Sequence, residues 1–91
     1  FNDIIAVAAT PGTSELGLSP GQDISIVGFD DIEAARNWRP PLTTMSIEAR
    51  LLGRQAATLL AQRMEKADLP PRQQYSKAVL QIRESCAPPK R

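Results

Sequence analysis

The sequence has 91 residues, 42% hydrophobic and 23% charged, with a formal net charge of +1. Leu, Ile, Val and Phe make up 21 of them; this content excludes wholesale disorder, and a chain of this length holds at most one small domain, burying roughly 60–65% of its unfolded surface. The longest uncharged apolar run, Ile4 to Ala9, falls far short of the roughly 20 residues that span a bilayer, and no signal peptide precedes it.

In chain order, Asn2 to Thr10 shows helical spacing in Ile4, Ile5, Ala8 and Ala9, with Asn2 or Asp3 able to cap it. Pro11-Gly12 breaks the pattern. A proline there removes an amide and crowds the carbonyl four residues back, which predicts that the helix stops or kinks and that 13–18 forms a separate turn. After the turn residues Ser19-Pro20-Gly21-Gln22, the run Ile24-Ser25-Ile26-Val27-Gly28-Phe29 reads as a strand. Apolar residues in both phases predict burial on two faces, as in a parallel sheet. Pro40-Pro41 marks another break, and Leu42-Thr43-Thr44-Met45 reads as a short extended segment. Ile47, Leu51, Leu52, Ala56, Leu59, Leu60 and Met64 recur at helical spacing, with Ser46 as the expected N-cap. The Pro70-Pro71 pair closes off that helix, and a second strand is predicted over 78–83.

Charge is segregated along the chain. Residues 1–35 carry six acidic side chains and no Lys or Arg, whereas 36–91 carry all eleven basic ones. The arginines are dispersed, with only Trp38 and Tyr75 as aromatic neighbours, a pattern of solvated surface and not a nucleic-acid footprint. An enzyme is not expected: there is no Gly-rich phosphate loop, no nucleophile elbow and no histidine to act as base for Cys86 or a serine. One cysteine and no histidine leave no disulfide and no metal spacing, so no cofactor or metal is expected and a reducing compartment, the cytoplasm, fits best.

The Asp30-Asp31 pair follows directly on the predicted strand. Open α/β sheets bind ligands beyond the carboxyl ends of their strands, and a carboxylate there accepts hydrogen bonds from sugar hydroxyls. The structural alternative is that Asp30 or Asp31 caps a helix starting near Ile32. Asn2 has the same two readings, helix cap or polar ligand contact. Trp38 lies in a polar, proline-rich segment, where a tryptophan covers a core edge or sits in an interface.

Several segments in order, Phe1-Asn2-Asp3-Ile4-Ile5-Ala6, Leu16 through Asp31, Arg39-Pro40-Pro41-Leu42-Thr43-Thr44, Leu52-Gly53 and Arg83-Glu84-Ser85, together resemble the C-terminal end of the lactose/galactose repressor family of bacterial transcription regulators. The resemblance covers nearly all of the chain. It implies an α/β fold of the periplasmic-binding-protein type: two subdomains with parallel sheets, joined by three chain crossings, with a sugar or other small effector in the cleft. Residues 1–91 would form the C-terminal part of that sensor domain, incomplete on its own. A helix-turn-helix headpiece absent from this chain would contact operator DNA.

Carried over by position, the resemblance makes Asn2 and Asp30 effector contacts and Val7 and Trp38 part of a homodimer interface. It places 31–45 in a crossing between subdomains and the start of the helix after Ser46 at the cleft wall, where Ala49 stands in place of a larger packing side chain. Relatives of this type continue an unbroken helix to the Leu-Gly turn, so Pro11-Gly12 is expected to damage it near Val7. The expected function is effector sensing and dimerisation without membrane contact; the alternative is a periplasmic sugar-binding protein of a transporter, which shares the fold.

Overall fold

The structure, a computed structural model, describes residues 2–89, leaving Phe1, Lys90 and Arg91 outside the description. Helix α1 spans Asp3–Glu15. Asn2 caps it, its Oδ1 accepting the amide of Ile5 at 3.0 Å. Contrary to the expected break, the helix runs through Pro11. Hydroxyls around the proline bond back to the preceding turn: Thr13 Oγ1 and Ser14 Oγ both donate to the carbonyl of Thr10, at 2.8 and 3.2 Å. The end comes at Gly17 instead, at φ 75°. The amide of Gly17 donates to Ser14 O and that of Leu18 to Thr13 O, a Schellman closure that needs the left-handed glycine.

The strand expected over 24–29 is not formed as a regular strand among the described residues; the segment 24–30 pairs in a parallel sense only at isolated points, Val27 with Thr43 and Asp30 with Ser46. The parallel pairing agrees with the sequence; the two-faced burial does not. Gly28 is buried and Ile26 half-buried, while Ile24, Val27 and Phe29 are exposed, because no element among the described residues covers the outer face. Strand β1, Thr44–Ser46, pairs antiparallel with β2, Val79–Gln81. Ser85 fastens the two sides together. Its Oγ accepts the amide of Thr43 at 2.8 Å and donates to Ile26 O, and its carbonyl accepts the amide of Ile26.

The short helix α2, Glu33–Asn37, packs on α1. Ala6, Ala35 and Leu42 form a small core, joined by Val7, Ile26 and Ile32. The stretch 31–45, expected as a crossing, thus supplies much of this core. Gly28 lets α1 approach closely, since a Cβ there would overlap the carboxylate of Asp3.

Helix α3, Ala49–Glu65, buries none of its residues. Ser46 is not its cap, being the last residue of β1; Glu48 occupies the N-cap position in a left-handed conformation, φ 47°, without a side-chain cap bond. The apolar stripe of α3 leaves Leu51, Leu52, Leu60 and Met64 exposed, as are Val79, Leu80 and Ile82 near β2. The radius of gyration is 18.0 Å, against roughly 12 Å for a compact domain of this length. Exposed apolar faces of this kind drive association, so the isolated chain is expected to self-associate. Sedimentation showing a monodisperse monomer with a cooperative unfolding transition would contradict this.

Candidate functional site: a cleft between Asp30 and helix α3

A cleft of about 510 Å³ opens between the end of the 24–30 segment and the start of α3, lined by Asp30, Asp31, Arg36, Ser46, Arg50 and Arg54 among others. It lies beyond the carboxyl end of the parallel-paired segment, where an α/β sheet receives ligands. Asp30 is held there by its backbone, its amide donating to Met45 O at 3.0 Å. Its φ of 124° and that of Asp31, 61°, lie in the region that favours glycine. Such conformations persist only where neighbouring contacts over-determine them.

Those contacts are present on each side. Arg83 Nη2 meets Asp31 Oδ1 at 2.7 Å, with both side chains largely shielded from solvent. Arg83 Nη1 donates to Leu42 O, and the Arg83 amide donates to Thr43 Oγ1, each at 2.9 Å. The next amide, of Ile32, donates to Asp3 Oδ2 at 2.8 Å. Asp3 is fully buried, and its other oxygen accepts the Thr44 hydroxyl at 2.6 Å. One carboxylate therefore joins α1, the turn after Asp30 and β1.

Neither Asp30 nor Asp31 caps α2. That helix begins after Ile32, without a side-chain cap bond. Asn2 is exposed and uses Oδ1 for its helix, while the Asp3 amide, donating to Phe29 O at 3.0 Å, keeps it beside the end of the Asp30 segment. Val7 is half-buried against the core. Trp38 ends α2, and its indole Nε1 is buried with no hydrogen-bond partner among the described residues. Cys86 is half-buried, its Sγ 3.5 Å from Ile26 O. Among the described residues no His, Cys, Asp and Glu group is arranged to hold a metal, and no helix is long and apolar enough to cross a membrane.

Sequence reasoning noted Arg83 and Ser85 in a closing motif but gave them no role, and took Asp3 as a possible cap. The available signal for Asp3 was its place next to Asn2, a cap of equal strength, which once it takes the cap through Oδ1 leaves the aspartate free to turn inward.

A parallel-paired segment ending in a carboxylate, facing a helix start across an open cleft, is the arrangement of one wall of an α/β domain. The chain belongs to the periplasmic binding protein-like domain family, whose model matches residues 1–86. The HTH-type transcriptional repressor PurR of Haemophilus influenzae is 43% identical over 67 residues, covering 74% of this chain and 20% of the relative. A LacI family transcriptional regulator from Enterococcus faecalis, solved with bound ribose, is 35% identical with a TM-score of 0.91, covering 98% of this chain and 33% of that one. A dimeric Lac repressor is 34% identical with a TM-score of 0.86, covering 98% and 32%. The expected α/β class and the resemblance to lactose/galactose-type repressors are thereby borne out. The chain spans about a fifth of the length of the curated relatives it matches.

Proposed function

We propose that this chain forms part of the effector-binding and dimerisation domain of a cytoplasmic transcription regulator, acting by binding and not by catalysis. The observation that supports the reading is the position of Asp30 at the mouth of the cleft, in a strained backbone whose amide is held by Met45 O and whose following residues, Asp31 and Ile32, are held by Arg83 and Asp3. Asp30 accepts hydrogen bonds from the hydroxyls of a sugar-like effector. Asn2 contributes its Nδ2 as a donor from the adjacent helix start, its Oδ1 being used in the cap. Val7 and Trp38 lie at the homodimer surface of the complete protein. Operator DNA is contacted through a headpiece outside this chain.

Binding in the cleft favours one relative placement of the two subdomains, and that preference reaches the operator as a change in headpiece spacing. A ligand shifts such an equilibrium only by its differential affinity for the two states. The repressor relatives support a regulator over the transporter-type binding protein with the same fold. The parent gene separates the two: a helix-turn-helix and linker encoded upstream support the regulator, and a signal peptide there overturns it.

A further inference from the structure

The two walls of the cleft belong to parts of the chain that are joined narrowly. Asp30 stands at the edge of the core, whereas Ser46 and Ala49, on the other wall, lead into α3, which buries none of its residues. The chain passes between the two parts only through β1 and β2, three residues each, and the molecule is drawn out to 58 × 22 × 17 Å. The cleft therefore widens or narrows with the direction in which this strand pair leaves the core.

The Asp30-Asp31 turn is tied to both strands. It is tied to β1 by the Asp30 amide, which donates to Met45 O at 3.0 Å. It is tied to the chain leaving β2 by Arg83, whose Nη2 meets Asp31 Oδ1 at 2.7 Å. The same guanidinium donates through Nη1 to Leu42 O, and the Arg83 amide donates to Thr43 Oγ1, just ahead of β1. One residue thus spans the turn that carries Asp30 and the roots of both strands. A guanidinium suits this task because its planar fork holds two acceptors in fixed directions, which an ammonium on a flexible stem does not. Arg36 does not duplicate it: it stands 3.9 Å from the same oxygen, but on α2 and exposed, with no bond to either strand among the described residues. A change in the direction of β1 and β2 moves Leu42 and Arg83 against Asp31, and a ligand that fixes the Asp30 turn constrains Arg83 in return, since such coupling is reciprocal.

We infer that Arg83 is a positioning residue, which holds the Asp30 turn to the cleft and couples occupation of the cleft to the setting of β1 and β2. This rests on the effector-sensor reading of the same cleft and adds the route by which the state of the site leaves it.

The test uses the full-length regulator with Arg83→Lys, which keeps the charge but not the fork, and Asp31→Asn, which keeps the shape but not the charge, alone and together. Amide hydrogen exchange needs no ligand. Each single variant is expected to speed exchange of the Asp30 and Ile32 amides roughly tenfold, with melting curves establishing that it is folded. The double variant should add little to either, as for two residues acting through one contact. A merely structural role would speed exchange throughout the core instead. Calorimetry with ribose, galactose, glucose and cellobiose supplies the ligand arm. For a sugar bound by the wild type, both single variants should lose roughly tenfold in affinity, and the slowing of exchange that this sugar causes in β1 and β2 should be absent from them. Unchanged exchange at Asp30 and Ile32, or effects of the two substitutions that simply add, would overturn the role of Arg83 and leave the sensor reading standing. Sugar-induced slowing in β1 and β2 that persists in the variants would overturn the coupling. Binding of none of the four sugars by the wild type would overturn the sugar-sensing reading, and the exchange rates then decide by themselves whether Arg83 positions the Asp30 turn.

Discussion

Replacing Asp30 by asparagine in the full-length regulator is expected to weaken effector binding by roughly one to two orders of magnitude. Hydrogen bonds to a charged acceptor are worth about 1.5–3 kcal/mol, and each 1.4 kcal/mol is about tenfold in affinity. Asparagine keeps the shape but exchanges one acceptor oxygen for a donor, so a hydroxyl pair formerly held by the carboxylate loses half of its acceptors. A purely structural role would give a different result, since asparagine caps a helix as well as aspartate does. The geometry already disfavours that role, because α2 starts after Ile32 without a side-chain cap bond. Calorimetric titration of wild type and variant, with matching melting curves, measures the difference; equal affinities would leave Asp30 outside the site.

Removing Asp3 should produce the largest loss of stability. Its carboxylate is fully buried and accepts both the Ile32 amide and the Thr44 hydroxyl. Asp3→Ala leaves one buried and one partly buried donor without acceptors, each costing about 1–3 kcal/mol, for a total of roughly 2–6 kcal/mol. Asp3→Asn retains one acceptor oxygen and turns an amide donor towards the other donor, so a loss about half as large is expected. Urea titration of the full-length protein reads both values. A fall below about 1 kcal/mol for Asp3→Ala would show that water replaces the carboxylate. Because the Ile32 amide follows directly on the Asp30-Asp31 turn, Asp3→Ala should also loosen the cleft and weaken effector binding.

The parts of this molecule that local chemistry dictates were legible in the sequence. Asn2 as a cap, the turn at Pro20-Gly21, the parallel-paired 24–30 segment and the helix over Leu51 to Met64 all follow from residue type and spacing. The misreadings share another origin. Pro11 predicts a break when only its own amide and ring are weighed, yet α1 is anchored at its first turn by Asp3 and Ala6 and closed by Gly17. Tertiary anchoring outweighs the local cost of about 3 kcal/mol. Ser46 reads as a cap until its backbone is committed to pairing with Val79. The two-faced burial of 24–29 was inferred from composition, but burial depends on what covers the face, and here Val27 and Phe29 remain exposed.

For the site, a position beyond a strand end was enough to single out Asp30. What holds it there was not legible, since Arg83 lies 52 residues from Asp31 and Thr44 41 residues from Asp3. No period or local pattern links such pairs. Only the folded chain brings the closing Arg83-Glu84-Ser85 stretch against the Asp30 turn and the Ile26 backbone.

The central claim, that this cleft senses an effector for a DNA-binding regulator, is tested most directly by operator release. The full-length protein is bound to a fluorescent operator, and anisotropy is followed as effector is added to wild type and to Asp30→Asn. A shift in operator affinity with wild type, needing roughly ten- to hundredfold more effector with the variant, while effector-free operator affinity stays the same, is the expected result. An operator affinity that ignores effector in the wild type, or a variant that responds at the same concentration, would contradict the claim.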